Sequence, residues 1–231
     1  MYNITLIGTI HSEHGKCNPD TLYKILEDIN PEVIFDELPN HFAELYFSDS
    51  FDTYCINCIL RNGRYPVVPL EVKCLREYRQ NYEIEIIPVD IDLRQKLDEN
   101  QKEINFLFST FFKNEDYAIL DNEKENLIAQ EGFHFLNSNK FLEFSEKKEI
   151  MEKNIMESEV QKNRLLSIYK LFYSQQYDYR ENVMLQNIYN YSKENQYNKA
   201  VFLIGAEQQR SIVQKIKEHE KLSEIKLNWT M

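Results

Sequence analysis

The first ninety residues alternate between short apolar runs and amphipathic segments. Residues 3–7 alternate weakly between polar and apolar positions, and residues 32–35 are rich in apolar side chains. Each segment ends in a polar loop, as is typical of strands. Between them, residues 20–29 carry leucine and isoleucine at the spacing of one helical face, behind an Asn-Pro-Asp start signal. This order of strand, helix and strand predicts a parallel α/β layer. The same patterns predict helices over residues 40–61 and 70–82 and a strand over 83–89.

The second half of the chain has a different pattern. From residue 95 to 195 the apolar positions follow helical spacing, which predicts four or five helices. A strand over 199–204, an amphipathic helix over 208–218 and a last strand over 224–230 follow. We therefore predict an α/β fold with a mixed or mostly parallel central sheet, flanking helices and a large helical insert. The predicted parts of this one globular unit are the first half of the core (1–94), the insert or cap (95–178) and the rest of the core (179–231).

Composition and charge narrow the function classes. With 42% hydrophobic and 28% charged residues among 231, the chain is expected to bury a sizeable core. The formal net charge is −11, and no long basic cluster interrupts the acidic background. Nucleic acid and anionic membrane surfaces are therefore not expected as partners. The first ten residues lack a cationic start and a long apolar run, so we expect no signal peptide or membrane span and a cytoplasmic location.

The four cysteines are not expected to form disulfides, because no export signal is recognised. Burial as ordinary thiols is the favoured interpretation, and metal binding by two or more of them is the alternative. They are Cys17, Cys55, Cys58 and Cys74.

Polar groups follow each predicted strand. Ligands of an open α/β sheet bind beyond the carboxyl ends of its strands, so these groups are candidates for chemistry. An oxygen-rich set with one or two imidazoles suits Mn²⁺, Mg²⁺ or Ca²⁺ better than structural zinc. Without a metal, a histidine oriented by a carboxylate could act as general base, and solvated loops or helix caps are the alternative. The groups are His11, Glu13 and His14, then Asp36 and Glu37, then Asp90 and Asp92, and finally Glu207 and Gln208.

Four short motifs resemble those of one superfamily. ITLIGTIH over residues 4–11 and PEVIFDEL over 31–38 resemble the opening of the TraB/Tiki and erythromycin-esterase-like superfamily. In that group Gly-x-x-His ends the first strand and a glutamate ends the second. RENVM over residues 180–184 resembles the group's Arg-Asp/Glu-x-x-Met helix. VFLIGAEQ over residues 201–208 resembles a second Gly-x-x-His motif, with glutamine in place of the histidine.

The resemblance implies a pocket built from two halves, with His11 and Glu37 from the first and Arg180 and the turn at 205–208 from the second. In the Tiki branch such histidines and a glutamate are associated with peptide cleavage that depends on a divalent metal. In the esterase branch a histidine and a glutamate activate water to open a lactone without an obligatory metal. Gln208 is a weak metal ligand and cannot act as a base. His11 therefore acts alone, His14 substitutes, or catalysis has been lost.

These observations lead to one main hypothesis, a hydrolase acting on an amide or ester bond of a small-molecule or peptide substrate. Water activated by His11 attacks the carbonyl, Glu37 orients the imidazole or shares a metal, and Arg180 stabilises the developing charge. The alternatives are a non-catalytic binding module that retains the pocket, and a helical interaction protein whose function lies in residues 95–195.

Each candidate residue has an assigned role. The catalytic candidates are expected to converge with Gln208 in one pocket. Glu71 lies at the start of a predicted helix. It is interpreted as a carboxylate that the positive end of the helix dipole stabilises. The assignments are His11, Glu37 and Arg180 as catalytic; His11, Glu37 and Asp90 as ligands of Mn²⁺, Co²⁺ or Mg²⁺; and His14, Gln208, Glu207 and Tyr179 as substrate-binding.

Overall fold

The structure is a computed structural model that describes residues 2–39 and 68–230, together with 45, 48, 50 and 53. Apart from these four positions, the helix predicted over residues 40–61 lies outside the described residues, as do Cys55 and Cys58. Cys17 and Cys74 are buried free thiols. Within the described ranges no helix is long and apolar enough to cross a membrane.

The centre of the molecule is a parallel sheet. Its strand order is β3-β2-β4-β1-β5, and every described pairing between neighbours is parallel. The carboxyl ends of the strands therefore lie at one edge of the sheet. This arrangement confirms the predicted α/β class with flanking helices. The strands are β1 (Tyr2–Thr9), β2 (Val33–Pro39), β3 (Glu85–Asp90), β4 (Lys199–Gly205) and β5 (Leu227–Thr230).

Helices cover both faces of the sheet, and the segment between β3 and β4 is helical. This segment contains five longer helices, one short helix and a π-helical stretch over Ser174–Tyr179 among its described residues. The helices are α1 (Pro19–Ile29), α2 (Leu70–Asn81), α3 (Arg94–Phe112), α4 (Glu115–Glu131), α5 (Phe133–Leu136), α6 (Asn139–Ser158), α7 (Lys162–Tyr173), α8 (Arg180–Glu194) and α9 (Gln209–Leu222).

The apolar strand residues divide between two core clusters. One cluster joins the sheet to α1, α2, α5 and α6, with Leu26 and Tyr78 fully buried. The other joins the sheet to α8 and α9, with Phe202 and Ile188 fully buried. A third cluster links α3, α4, α6 and α7 away from the sheet. Burial on both faces explains why the apolar residues of β2 and β4 follow one another without alternation.

Strand β2 extends further than the sequence pattern indicates. The apolar run over residues 32–35 predicts a strand that ends there, yet the last residue of β2 is Pro39. The register with β3 shifts between Asp36 and Pro39, so the proline lies beyond an irregularity rather than in regular ladder pairing. Irregularities of this kind change the direction in which strand side chains point. Glu37 lies within this one.

Two glycines allow the loop after β1 to pack closely against the end of α4. Gly15 and Gly132 have φ angles of 56° and 64°, in the left-handed region that favours glycine. A Cβ at Gly15 would lie 2.2 Å from the carbonyl oxygen of Ala129. The neighbouring Lys16 amide donates to that same oxygen at 2.9 Å. This contact anchors the loop that carries His11.

Candidate active site

An ion-pair network joins three elements at the carboxyl edge of the sheet. Arg180, the first residue of α8, donates from Nη2 to Glu37 Oε1 at 2.6 Å and to Asp90 Oδ2 at 2.5 Å. Its Nε lies 3.1 Å from each Asp90 oxygen. The side chains of Arg180, Glu37 and Asp90 are only 17%, 8% and 4% exposed. The guanidinium therefore pairs with two carboxylates that burial would otherwise leave without a cation.

The electrostatics of this network follow from its burial. Burial raises the pKa of Asp90 above its ordinary value, although the hydrogen bond and charge of Arg180 oppose that rise. Burial alone would lower the pKa of Arg180, but Asp90 and Glu37 outweigh it and raise that pKa. Arg180 is therefore a fixed cation.

The turn after β4 completes the hydrogen bonding of Glu37. Gln208 donates from Nε2 to Glu37 Oε1 at 2.6 Å, and the Gly205 amide donates to Oε2 at 2.7 Å. A Cβ at Gly205 would lie only 3.2 Å from Gln208 Nε2, so glycine permits this close approach. The Gln208 carbonyl oxygen Oε1 is buried and has no hydrogen-bond partner in the described part of the chain.

His11 lies at the same edge but pairs with a different carboxylate. Its Nδ1 lies 3.4 Å from Glu71 Oε1, and its side chain is 68% exposed while that of Glu71 is 7% exposed. Thr9 Oγ1 donates to the same Glu71 oxygen at 2.5 Å. The Leu70 amide donates to the His11 carbonyl at 2.9 Å, which fixes the start of α2 against the β1 exit. His11, Thr9 and Glu71 form what we call the His11 triad.

The pKa of His11 reports this pairing. The hydrogen bond with Glu71 and the charge of Glu71 raise the pKa of His11 to about 9, although desolvation lowers it. More distant charges on Glu37 and Asp36 add smaller increases. The imidazolium form is therefore favoured over a wide pH range.

Sequence reasoning interpreted Glu71 as a dipole carboxylate and thus missed its contact with His11. The contact spans sixty positions along the chain, so no local motif reports it. One general rule could have found it. In a parallel α/β layer the helix that follows a strand begins at the carboxyl edge, so first-turn carboxylates lie close to strand exits. Glu71 is in the first turn of α2.

A hollow of about 270 Å³ lies beside the His11 triad and brings residues of both chain halves together. His11, Thr9, Gly205 and Gln208 line it. Glu37 accepts hydrogen bonds from Gln208 and Gly205 but is not itself among the residues that line the hollow, and neither is Arg180. His11 and Gln208 therefore share one hollow, while Glu37 binds Gln208 and Arg180 in turn binds Glu37.

A buried lysine forms another part of this wall. Lys124 of α4 donates from Nζ to Glu207 Oε1 at 2.7 Å, and Ser145 donates to Oε2 of the same carboxylate at 3.0 Å. Although burial raises the pKa of Glu207, the charge of Lys124 and its hydrogen bond lower it overall. Lys124 belongs to a stretch rich in Lys, Glu and Asn, so its sequence context did not distinguish it from a solvated residue.

Two predicted substrate-binding residues lie elsewhere. His14 Nε2 is 3.0 Å from the backbone oxygen of Glu125, and His14 does not line the hollow described above. Tyr179 is 53% exposed and does not line it either. Tyr177, two residues earlier, does line it.

The residues proposed as metal ligands do not fit a shared divalent ion in this arrangement. His11 pairs with Glu71, while Glu37 and Asp90 both bind Arg180. The guanidinium occupies the position between the two carboxylates that a cation would take. Within residues 2–39 and 68–230, no group of three or more His, Cys, Asp or Glu side chains could hold a metal ion.

Comparison with known proteins adds no relative. No family model, no curated protein and no solved structure matches this chain. The relation to the TraB/Tiki and erythromycin-esterase-like superfamily therefore stays a prediction from the motifs, and the site is interpreted from its geometry.

Proposed function

We propose that the protein is a hydrolase that cleaves an ester or amide bond with water activated by His11. The observation that carries this proposal is the His11 triad, an exposed imidazole bound through Nδ1 to a buried carboxylate. Pairing through Nδ1 assigns Nε2 to the reacting water, the arrangement found in histidine general bases oriented by a carboxylate. Glu71 takes the orienting role that the motifs assigned to Glu37.

Proton transfer follows from this pairing. Neutral His11 accepts a proton from water while that water attacks the carbonyl carbon, and the resulting imidazolium is stabilised by Glu71. The imidazolium then donates its proton to the departing alcohol or amine. Because the pKa of His11 is raised to about 9, the neutral base becomes more abundant as pH rises, and the rate is expected to increase up to that pH.

The geometry also changes the role that we propose for Arg180. Its Nε and Nη2 atoms already bind Asp90 and Glu37, so we assign it to positioning rather than to the developing oxyanion. It holds Glu37, and Glu37 holds Gly205 and Gln208. Lys124 lines the hollow itself. We assign to Lys124 the positive charge that faces the reacting carbonyl.

One observation favours a second candidate, a small-ligand or protein binding module that has lost turnover. Gln208 stands where the resembling motif has histidine, and its amide nitrogen already donates to Glu37. An amide can neither accept nor donate a catalytic proton at neutral pH. The hollow would then be retained for binding alone.

Hydrolysis assays separate the two candidates. A panel of aryl esters, lactones and short peptides is assayed with the wild type, His11→Ala and the matched control His134→Ala, whose side chain is exposed on α5. The proposal expects turnover that falls roughly 10² to 10⁴-fold in His11→Ala, the usual contribution of a general base, and that His134→Ala leaves unchanged. No turnover by the wild type, with or without added Mn²⁺ or Mg²⁺, would favour the binding module.

Gln208→His tests the resemblance directly. The new imidazole would face the hollow that His11 lines. Metal content after purification without chelator and hydrolysis rates are compared with the wild type. A gain in either measurement would support a degenerate second Gly-x-x-His motif at the correct place, and no gain in either would count against it.

A further inference from the structure

A larger cavity, of about 710 Å³, lies between the helical segment and α9. Its size suits a ligand of ordinary metabolite dimensions. Helices α3, α4, α6, α7 and α9, the π-helical stretch and the turn after β4 contribute to its walls. Its aromatic lining residues are Phe108, Tyr117, Tyr169, Phe172, Tyr173 and Tyr177.

A buried carboxylate belongs to this cavity, and its hydrogen-bond donors among the described residues are neutral. Glu152 of α6 is 4% exposed. Its Oε1 accepts from the Tyr117 hydroxyl at 2.9 Å, and its Oε2 accepts from the Tyr173 hydroxyl at 3.1 Å. Burial raises the pKa of Glu152, although the Tyr117 hydrogen bond, the charge of Lys148 and the Tyr173 hydrogen bond all oppose that rise. A cation that enters the cavity would therefore stabilise the ionised form of Glu152.

The basic side chains that line the cavity are each paired with another carboxylate. Lys148, which acts on Glu152, is held 2.8 Å from Asp121 and lies 5.3 Å from the Tyr117 ring centre. Glu152 thus differs from the other acidic lining groups, for which a lysine or arginine partner is close. The remaining pairs are Lys124 with Glu207 at 2.7 Å, Lys153 with Glu149 at 2.6 Å and Arg210 with Glu149 at 3.2 Å.

Three tyrosines form an aromatic wall next to Glu152. The rings of Tyr169 and Tyr173 have centres 4.1 Å apart, and those of Tyr173 and Tyr177 are stacked at 4.9 Å. Tyr177 belongs to the π-helical stretch, a winding that occurs often at functional sites. Tyrosine rings attract ammonium groups through their quadrupole, most strongly where water is excluded.

We propose that this cavity binds a small organic cation, with its ammonium group between the Glu152 carboxylate and the tyrosine rings. Aromatic side chains around a carboxylate recognise both features of such a ligand, its charge and its alkyl substituents. The inference does not depend on hydrolysis, because Glu152 has no contact with the His11 triad. Lys124, Tyr177 and Glu207 line both cavities, so a bound cation would lie next to the His11 hollow.

The test compares choline with its neutral carbon isostere, 3,3-dimethyl-1-butanol, by titration calorimetry on the wild-type chain. The two molecules have nearly the same shape and differ in charge. We expect choline to bind at least tenfold more tightly, since desolvated cation–π and carboxylate contacts favour it. Equal affinities, or no binding of choline at high millimolar concentration, would overturn the proposal.

Variants then locate the site. Glu152→Gln keeps the side-chain size and is expected to weaken choline binding at least tenfold, whereas Glu157→Gln, an exposed position on the same helix, is expected to leave it unchanged. Tyr177→Leu removes one ring of the aromatic wall and is expected to weaken binding too. His11→Ala should bind choline like the wild type, which separates this inference from the proposed hydrolase. Choline binding that is unaffected by both Glu152→Gln and Tyr177→Leu would show that the cation binds elsewhere.

Discussion

Replacing Arg180 with methionine would leave two buried carboxylates, those of Glu37 and Asp90, without their shared cation. Methionine fills a similar volume without a charge, so the change isolates the electrostatic contribution. The wild-type guanidinium makes hydrogen bonds of 2.5 to 3.1 Å to both carboxylates. We expect Arg180→Met to be among the most destabilising single substitutions in this chain.

The magnitude follows from the burial of the three groups, whose side chains are 17%, 8% and 4% exposed. Removing one partner of a buried ion pair costs about 3 to 5 kcal/mol, because the remaining charge is uncompensated. In a chain of 231 residues each kcal/mol shifts the melting temperature by about 2 to 4 °C. The expected decrease is therefore about 6 to 20 °C.

The effect should also depend on pH in a defined direction. Burial raises the pKa of Asp90 in the folded state, and without Arg180 that rise is opposed less. A carboxyl group whose pKa is raised by folding lowers the stability of the folded state as pH rises through that pKa. The deficit of Arg180→Met relative to the wild type should thus shrink as pH falls below neutral towards the raised pKa of Asp90.

Thermal unfolding followed by circular dichroism, at several pH values, measures this effect. Arg164→Met is the matched control, since Arg164 binds Glu103 through two hydrogen bonds of 3.1 and 2.9 Å on the surface. Solvent screens that pair, so the control should melt nearly like the wild type. If Arg180→Met lowered the melting temperature no more than Arg164→Met, the ion-pair network could not be what holds α8 and β3 to β2.

Three further predictions address the site and its loop. Glu71→Gln should lower the pKa of His11 from about 9 towards its ordinary value of about 6.5. NMR titration of the imidazole measures this change, and the acid limb of the kcat/KM profile should shift to lower pH with it. An unchanged titration would exclude Glu71 as the partner of His11. Gly15→Ala should lower the free energy of unfolding in urea by about 1 to 3 kcal/mol, because its φ of 56° and the Ala129 backbone both oppose a Cβ; wild-type stability would contradict this. If both proposals hold, acetylcholine should be hydrolysed with a higher kcat/KM than 3,3-dimethylbutyl acetate, a preference that Glu152→Gln should remove and that equal values would refute.

The fold was predictable because its signals are local. The apolar runs and helical spacings identified strands near those observed at β1 and β4, and the predicted helix over 20–29 corresponds to α1. Asn18 accepts a hydrogen bond from the Thr21 amide at 2.9 Å, as the Asn-Pro-Asp signal indicated. The predicted end of β2 was wrong, because the shifted register beyond Asp36 depends on how β3 pairs with β2.

The site was predictable only in part, for a related reason. Selecting strand exits found His11, Glu37, Asp90 and Gln208, because a parallel sheet gathers all its exits at one edge. Which of these groups pair with one another depends on side chains from helices. Arg180 forms ion pairs with both Glu37 and Asp90. The partner of His11 is therefore not one of the strand-exit carboxylates.

The glutamine at position 208 acquires a physical interpretation from this network. Its amide donates at 2.6 Å to a carboxylate that also accepts from Arg180 and the Gly205 amide, so Glu37 accepts three hydrogen bonds from donors that do not titrate near neutral pH. A neutral histidine could supply the same N–H, but protonation would add a second positive charge beside Arg180. Glutamine donates without titrating, and His11 is then the one imidazole that lines the described hollow. Under the proposed hydrolysis, glutamine at this position is therefore consistent with a site that has a single proton-transfer residue, His11.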